Sequence, residues 1–368
     1  MKRNAKKMVT TVLAGVMVMS MGMNAFAEVP DDGLTITKTV TTDGNTYAPN
    51  TTFNFEVTPG TGKGADENSL AAPDQVVVYP GVDKGLNVVG AAQFAPNKEE
   101  PTSAVYTNNK VKITVNSGVF TKPGVYHYQV SEVIPQNEDK YEGIKYDESV
   151  KDLLVYVVRN EEDGTFTVDG VIEVKDGQKV GEGTGVSFTN NYGKQDPDQP
   201  DPEDDTTHDI TVTKEVTGNQ GDQNKEFNFA ISVKPASDGE IYKLVKISNG
   251  TETFVQAIGA TDMGVTVGLK SGESVKIYGL SENDSYSITE TDANQDGYTT
   301  TAAGDNVNDD QTGSAGRLDA DNKAATVTNA RNISTPTGII LTFAPYILMV
   351  AAAGVLAVMF LRKKREEI

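Results

Sequence analysis

Two sets of three polar residues in this sequence have the types and positions that one particular reaction needs. They are Lys38, Glu132 and Asn190 and, later in the chain, Lys214, Glu290 and Asn329. Side chains two positions apart in a β-strand lie on the same face, and each of the six continues a row of apolar side chains. A charged or amide group that is buried alone is costly, so each residue needs a partner or a changed protonation state.

Burial would turn each set into the reactants of an amide-forming reaction. Desolvation lowers the pKa of a lysine and raises that of a glutamate, and a neutral amine is a nucleophile. Held about 3–3.5 Å from an asparagine carboxamide, that amine gains the advantage of an intramolecular reaction. A protonated glutamate between them would polarise the amide oxygen and carry protons as ammonia leaves. The predicted product is a Lys–Asn isopeptide bond, and forming it requires neither a cofactor nor a metal ion.

The alternative is that all six residues lie at strand ends, where each apolar row runs out into solvent. The same three residue types occur twice, on the same face and in the same order. This repetition favours the covalent interpretation.

The elements that would position these residues are short β-strands in a duplicated pattern. Alternating apolar and polar runs are separated by Asp-Gly, Asn-Gly and Pro-Gly turns, which is typical of an all-β sandwich. Four segments of the first half recur in the same order in the second: LTITKTV and ITVTKEV, FNFEV and FNFAI, YQVSE and YSITE, and VSFTN and ATVTN. We therefore predict two tandem sandwich domains.

A segment rich in proline and aspartate separates the two halves, and its composition favours an extended spacer. The predicted division is a signal peptide at 1–27, a first domain at 28–193, a linker at 194–207, a second domain at 208–333 and a C-terminal signal at 334–368.

The N-terminal segment has the features of a secretory signal peptide. Four basic residues precede an apolar run, and Ala25-Phe26-Ala27 supplies a cleavage site of small residues. Cleavage after Ala27 would leave Glu28 as the mature N-terminus. An uncleaved membrane anchor is the alternative, which the short apolar run and the cleavage site disfavour.

The C-terminal segment combines a motif, an apolar stretch and a basic tail. Residues 339–361 are long enough to cross about 30 Å of hydrocarbon, and the basic tail at 362–368 would remain on the cytoplasmic side. A transmembrane anchor alone would explain these two parts. The preceding Ser-Thr-Pro-Thr-Gly at 334–338 resembles the cell-wall sorting signals of Gram-positive surface proteins. That resemblance implies a sortase that cleaves between Thr337 and Gly338 and passes the threonine carbonyl to an amine. The proline stands one place later than in the common motif, which resembles the variant of pilus-building sortases, so a pilus sortase and a housekeeping sortase both remain open.

Both halves resemble the backbone pilins of the streptococcal T-antigen type, whose two Ig-like (CnaB-like) domains each carry a self-formed Lys–Asn isopeptide bond and a catalytic glutamate. The family motifs match at Lys38 after LTIT, at Glu132 after YQVS and at Asn190 after SFT. In the second half they match at Lys214, Glu290 and Asn329, with Val327 where the family often has phenylalanine. The resemblance covers nearly all of 28–338.

The resemblance implies a structural subunit of a cell-surface pilus rather than an enzyme that acts on a separate substrate. Identical subunits would be joined head to tail, with accessory pilins and peptidoglycan as further partners. The resemblance also implies that a lysine shortly before the asparagine-bearing strand of the first domain accepts the next subunit; Lys179 fits this position best, followed by Lys175. The alternative is a wall-anchored adhesin that binds a host ligand and does not polymerise.

Composition excludes several other classes of function. The chain has no cysteine, which removes thiolate catalysis and cysteine-ligated metals. It has only two histidines, which argues against a histidine metal cluster and a Ser-His-Asp enzyme. Its formal net charge of −20 would repel nucleic acid. Asp292, Asn294 and Asp296 imitate the start of a calcium loop, but Ala303 stands where an EF-hand has glutamate, so we predict a turn. His127 alternates with the core row of its strand and is predicted to be exposed.

Overall fold

The computed structural model describes residues 29, 33–62, 77–136, 140–175, 178–180, 185–193, 206–262, 264–334 and 345–357. Most of these residues are in β-strands. The expected all-β fold is confirmed. The signal peptide with its Ala27–Glu28 junction, linker residues 194–205 and the Thr337–Gly338 bond lie outside the described residues.

The first half of the chain supplies two sheets. Its strands are β1 (Leu34–Thr41), β2 (Thr52–Pro59), β3 (Val78–Pro80), β4 (Leu86–Val89), β5 (Ala92–Gln93), β6 (Val105–Val115), β7 (Gly124–Val133), β8 (Ile144–Lys145), β9 (Val150–Arg159), β10 (Phe166–Lys175), β11 (Gln178–Lys179) and β12 (Gly185–Tyr192). One sheet has the order β4-β6-β1-β12-β8, and the other has the order β11-β10-β9-β7-β2-β5 with β3 beside β7.

The second half repeats this architecture with fewer strands. They are β13 (Thr207–Thr217), β14 (Phe227–Lys234), β15 (Ile241–Ser248), β16 (Thr251–Gly259), β17 (Val265–Leu269), β18 (Ser274–Ser281), β19 (Ser285–Glu290), β20 (Thr299–Gly304), β21 (Gly313–Arg317) and β22 (Lys323–Ala330). The orders are β16-β15-β18-β13-β22-β20 and β17-β14-β19-β21.

Each half encloses its own hydrophobic core between its two sheets. The residues of β1 alternate between buried and half-buried, as a strand with one face on a core must. Ile36 and Phe188 from one sheet meet Tyr128 and Val155 from the other in the first core. Ile210, Phe229 and Ile288 belong to the second core.

The first and last strands of each half are neighbours and run parallel. In the first half Lys38 is opposite Phe188 and Val40 is opposite Asn190. In the second half Lys214 is opposite Val327 and Val216 is opposite Asn329. The register is thus the same in both, with the asparagine two residues beyond the partner of the lysine. Since side chains alternate, each lysine and its asparagine lie on the same face.

The two halves meet through a buried polar cluster. Tyr192, at the end of β12, donates a hydrogen bond of 2.8 Å to Glu240 Oε1 of the second half. The hydroxyl oxygen of Tyr242 lies 3.1 Å from Glu240 Oε2 and 2.7 Å from Asp284 Oδ2. Glu240, Asp284 and both tyrosines are at most 3 % exposed. We call these four residues the junction cluster.

Residues 345–357 form a helix. Within the described part of the chain, no helix has the length and apolar character needed to cross a membrane. The predicted span at 339–361 extends beyond the described helix on both sides.

Candidate functional site

The first candidate site lies inside the first sandwich, where strands of both sheets face each other. Lys38 on β1 and Asn190 on β12 come from one sheet and share a face because of the parallel register. Glu132 comes from β7 of the other sheet, opposite Phe55 of β2. Three segments far apart in the sequence therefore meet in one core.

Glu132 bridges the amine and the amide. Lys38 Nζ donates a hydrogen bond of 2.5 Å to Glu132 Oε2, and Asn190 Nδ2 donates one of 2.8 Å to Glu132 Oε1. Lys38 and Asn190 are 0 % exposed and Glu132 is 6 % exposed. Lys38 Nζ, which would form the new bond to Asn190 Cγ, and Asn190 Nδ2, which would leave, therefore contact the same carboxyl group.

Burial shifts both ionisable groups towards their neutral forms. Desolvation lowers the pKa of Lys38, although its hydrogen bond to Glu132 opposes the shift. Desolvation likewise raises the pKa of Glu132 against the opposing effect of Lys38. The ring of Phe53 contributes to this apolar environment, with its centroid 4.7 Å from Lys38 Nζ. A neutral amine beside a protonated carboxyl is the state that nucleophilic attack needs.

The second candidate site repeats this arrangement. Lys214 Nζ lies 2.9 Å from Glu290 Oε2, and Asn329 Nδ2 donates a hydrogen bond of 2.6 Å to Glu290 Oε1. All three residues are at most 3 % exposed. Desolvation lowers the pKa of Lys214. Lys214 Nζ also contacts the carbonyl oxygen of Val327 at 3.3 Å and lies 4.6 Å from the ring centroid of Phe227. All six residues are buried, whereas the strand-end alternative required them to be exposed to solvent.

Comparison with known proteins identifies the family. The chain is 30 % identical to a curated protein called Pilin from Streptococcus pyogenes serotype M1, over 352 residues and 90 % of both chains. The chain belongs to the pilin family. A second relative, the pilus tip adhesin Cpa from Streptococcus pyogenes, is 36 % identical over 133 residues, which are 36 % of this pilin and 18 % of the adhesin. A family model described as a domain of unknown function, DUF7601, matches residues 208–331.

Solved structures share the fold of this pilin. The crystal structure of the major pilin from Streptococcus pyogenes matches with a TM-score of 0.54 and 24 % identity, covering 82 % of this chain and 99 % of the other. The major pilin T3.2 from Streptococcus pyogenes serotype GAS13637 matches with a TM-score of 0.54 and 25 % identity, covering 82 % and 98 %.

Both candidate acceptor lysines are exposed at one edge of the first sandwich. Lys179 lies on β11, the edge strand of its sheet, and its Cα partner on β10 is Val174. Lys175 ends β10, opposite Gln178. Both lysine side chains are exposed to solvent. Accessibility does not distinguish between them, so the assignment to Lys179 stays a prediction.

His127 is buried, so the expectation of an exposed side chain is wrong. The outer face of β7 is covered, because the segment after β2 packs Gly60 and Thr61 against the His127 ring. Val78, Val125, Leu154 and Val174 form a second small core beside it. His127 Nε2 lies 2.7 Å from Asp152 Oδ1, and Nδ1 lies 2.9 Å from the carbonyl oxygen of Thr61. The alternation of side chains along β7 correctly placed His127 on the face away from the main core, but it does not show what packs against that face.

Sequence analysis missed two contributors to the sites. The aromatic neighbours of the amines, Phe53 and Phe227, begin the repeated FNF segments, so their recurrence was the available signal. The other contributor is the backbone N–H of Asp147, which donates a hydrogen bond of 2.7 Å to Asn190 Oδ1. The amide oxygen is therefore polarised by the backbone, while Glu132 contacts the amide nitrogen. A backbone donor has no residue-type signature, so no motif could reveal it.

Proposed function

We propose that this pilin is the shaft subunit of a covalent, sortase-assembled surface pilus and that each of its sandwiches is locked by a self-formed Lys–Asn isopeptide bond. The observation that carries the proposal is the buried glutamate that bridges a lysine and an asparagine on adjacent first and last strands. It occurs in both halves of the chain. Membership of the pilin family supports the structural role.

The reaction balances without an outside reagent. The lone pair of Lys38 Nζ attacks Asn190 Cγ, and a new C–N bond forms. Glu132 Oε2, 2.5 Å from Nζ, accepts the proton that the amine gives up. Glu132 Oε1, 2.8 Å from Nδ2, delivers a proton to the departing nitrogen. The Cγ–Nδ2 bond breaks, ammonia leaves, and Glu132 is again protonated. Lys214, Glu290 and Asn329 would react in the same way.

The crosslinks would change how the subunit carries tension. In the proposed polymer, tension enters the second sandwich at β13 and leaves it at β22, which are parallel neighbours. With Lys214 bonded to Asn329, the load passes from one strand to the other through covalent bonds, and the intervening strands are never pulled out of the sheets. In the first sandwich, tension that enters at Lys179 leaves through β12, and a Lys38–Asn190 bond would hold β12 to its parallel neighbour β1.

Intact mass spectrometry tests the crosslinks. Residues 28–337, produced without any sortase, should be lighter than their sequence by two ammonia molecules. Glu132→Ala should restore one ammonia and Glu290→Ala the other, each in addition to the mass change of the substitution. Peptide mapping should identify the joined pairs as Lys38–Asn190 and Lys214–Asn329. A wild-type mass equal to that of the plain sequence would overturn the proposal.

Polymer assembly is a separate part of the proposal. A sortase would join Thr337 of one subunit to an amine of the next, and Lys179 is the proposed acceptor. Immunoblots of boiled cell-wall extracts should show a ladder that Thr337→Ala and Lys179→Ala each abolish in cells making this pilin alone, while Lys175→Ala leaves the ladder intact. A full ladder with Lys179→Ala and none with Lys175→Ala would move the acceptor to Lys175. A single wall-linked band in the wild type would favour the adhesin instead.

A further inference from the structure

The two candidate sites differ at the amide oxygen. Asn190 Oδ1 accepts a hydrogen bond of 2.7 Å from the backbone N–H of Asp147, and Asn190 Nδ2 donates to Glu132. Both ends of this carboxamide are thus fixed by different partners. The matching atom of the second site, Asn329 Oδ1, is buried and has no hydrogen-bond partner among the described residues.

The side chain of Asp147 holds this backbone donor in place. Its Oδ1 accepts a hydrogen bond of 2.9 Å from the Ser149 N–H, and its Oδ2 accepts one of 2.9 Å from the N–H of Thr189. Thr189 precedes Asn190 on β12, so the carboxylate ties the loop before β9 to the strand that carries the reacting amide. Burial alone would raise the pKa of Asp147, but the hydrogen bonds from Ser149 and Thr189 lower it below its usual value. The Asp147 side chain that holds the loop to β12 is therefore an ionised carboxylate.

An aligned N–H at the amide oxygen has a direct chemical consequence. When an amine adds to an amide, negative charge develops on the carbonyl oxygen, and a preorganised donor stabilises that charge. Loss of one such donor slows other acyl-transfer reactions by roughly 10²–10³-fold. Reaction without the donor leaves the developing charge in a dry site with no compensating hydrogen bond.

We propose that the Asp147 N–H is an oxyanion donor for the Lys38–Asn190 reaction and that the first sandwich consequently closes its bond before the second. The proposal rests on the isopeptide chemistry proposed above. The Asp147 side chain acts as a positioning group, since it touches neither reactant and orients the N–H that does. Because the second site lacks such a donor among the described residues, its Lys214–Asn329 bond is the slower one.

The order of the two bonds in the wild-type chain is the first test. Residues 28–337 are pulse-labelled during cell-free synthesis, chased for increasing times and quenched in acidic denaturant. Quantitative peptide mapping then measures the two crosslinked peptides separately. We expect the Lys38–Asn190 peptide to accumulate at least about tenfold faster. Equal rates, or an earlier Lys214–Asn329 bond, would overturn this inference while leaving the isopeptide proposal intact. The absence of both crosslinks at all times would overturn the isopeptide proposal itself.

A variant series tests the role of Asp147 within the same molecule. Asp147→Ala should slow the first bond by about tenfold, because the N–H is no longer held on the oxygen, while the second bond serves as an internal control and keeps its rate. Asp163→Ala is a matched control, since Asp163 also accepts the N–H of the residue two positions later, at 2.9 Å, in an exposed turn. It should change neither rate. An unchanged first rate in folded Asp147→Ala would contradict the proposal, and if that variant does not fold, the wild-type order decides.

Discussion

Lys243 shows what a buried lysine needs besides the right neighbours. Its Nζ lies 2.8 Å from Glu100 Oε1 and 3.1 Å from Asn45 Oδ1, so the same three residue types meet between the two halves of the chain. The side chain of Glu100 is 45 % exposed, whereas those of Glu132 and Glu290 are 0 % exposed. Water therefore solvates the Glu100 carboxyl group, and this contact lacks the dry surroundings of the two candidate sites.

We predict that Lys243 does not react. Proximity to Asn45 is insufficient, because this contact is open to water on the Glu100 side. Peptide mapping of residues 28–337 should find Lys38 and Lys214 crosslinked and Lys243 unmodified, and Lys243→Ala should still lose two ammonia molecules. A third ammonia loss that Lys243→Ala abolishes would show that burial of the glutamate is not the deciding factor.

Between elements, the decisive contact is the parallel pairing of β1 with β12. A bond from Lys38 to Asn190 closes a loop of about 150 residues, for which the chain-entropy model gives roughly 5 kcal/mol of stabilisation. Typical total stabilities are only about 5–15 kcal/mol. The second bond closes a loop of about 115 residues and has a similar value in the same model.

We predict a large thermal effect from a variant that cannot crosslink. Lys38→Met retains an apolar chain of similar length and leaves no buried charge on β1. It should lower the melting temperature of the first sandwich by about 10–20 °C, measured by calorimetry on residues 28–337. Lys110→Met, at an exposed position on the neighbouring strand β6, is the control and should melt like the parent. A difference of less than about 2 °C for Lys38→Met would contradict the prediction.

Period-two patterning predicted the elements well where one face meets a core. For example, the alternating runs at 111–115, 152–158, 227–233 and 274–278 fall in β6, β9, β14 and β18. Repetition of the motifs selected the residues of both sites, since the same three types recur on core-facing rows. The burial of His127 and the hydrogen bond from the Asp147 N–H to Asn190 could not be predicted, because both depend on how segments outside the strands pack against the sheets.

At the scale of the whole molecule, the junction cluster requires a proton that the tyrosines cannot supply. The Tyr242 hydroxyl contacts Glu240 Oε2 and Asp284 Oδ2 but has one proton to donate. The second contact is satisfied when one of the carboxyl groups is protonated and donates to the hydroxyl oxygen. Burial, with the nearby charge of Asp284, raises the pKa of Glu240 to about 8. Burial also raises the pKa of Asp284.

We predict that the junction weakens as the pH rises. The pKa of Glu240 is about 8 in the folded chain against a reference of 4.5, so between these values the folded state holds a proton that the unfolded state has released. Stability is full below the lower value and falls towards pH 8, by up to ~1.4 kcal/mol per pH unit for one proton.

Denaturant unfolding at several values between pH 5 and pH 9 measures this slope. Glu240→Gln should flatten it, since the amide remains neutral throughout and can still contact both tyrosines. Glu226→Gln, at an exposed position of the same half, is the control and should keep the parent slope. If Glu240→Gln shows the same pH dependence of the unfolding free energy as the parent, the proton that is lost is bound to a group other than Glu240.

With the proposed Lys–Asn bonds in place, the parallel pairing of first and last strands would also affect how the pilin withstands proteases. In such a crosslinked chain, residues 38 to 190 would form a covalent macrocycle, and residues 214 to 329 would form another. A protease that cuts one peptide bond inside either ring opens the ring but does not separate its entry strand from its exit strand. Every loop between β1 and β12, and every loop between β13 and β22, is therefore a place where a single cut leaves the fibre in one piece. Two cuts in the second ring release only the segment between them, whereas two cuts in the first ring that flank Lys179 would also detach the subunit joined to that lysine. The segment that joins the two halves and the residues after Asn329 are where one cut severs the polymer.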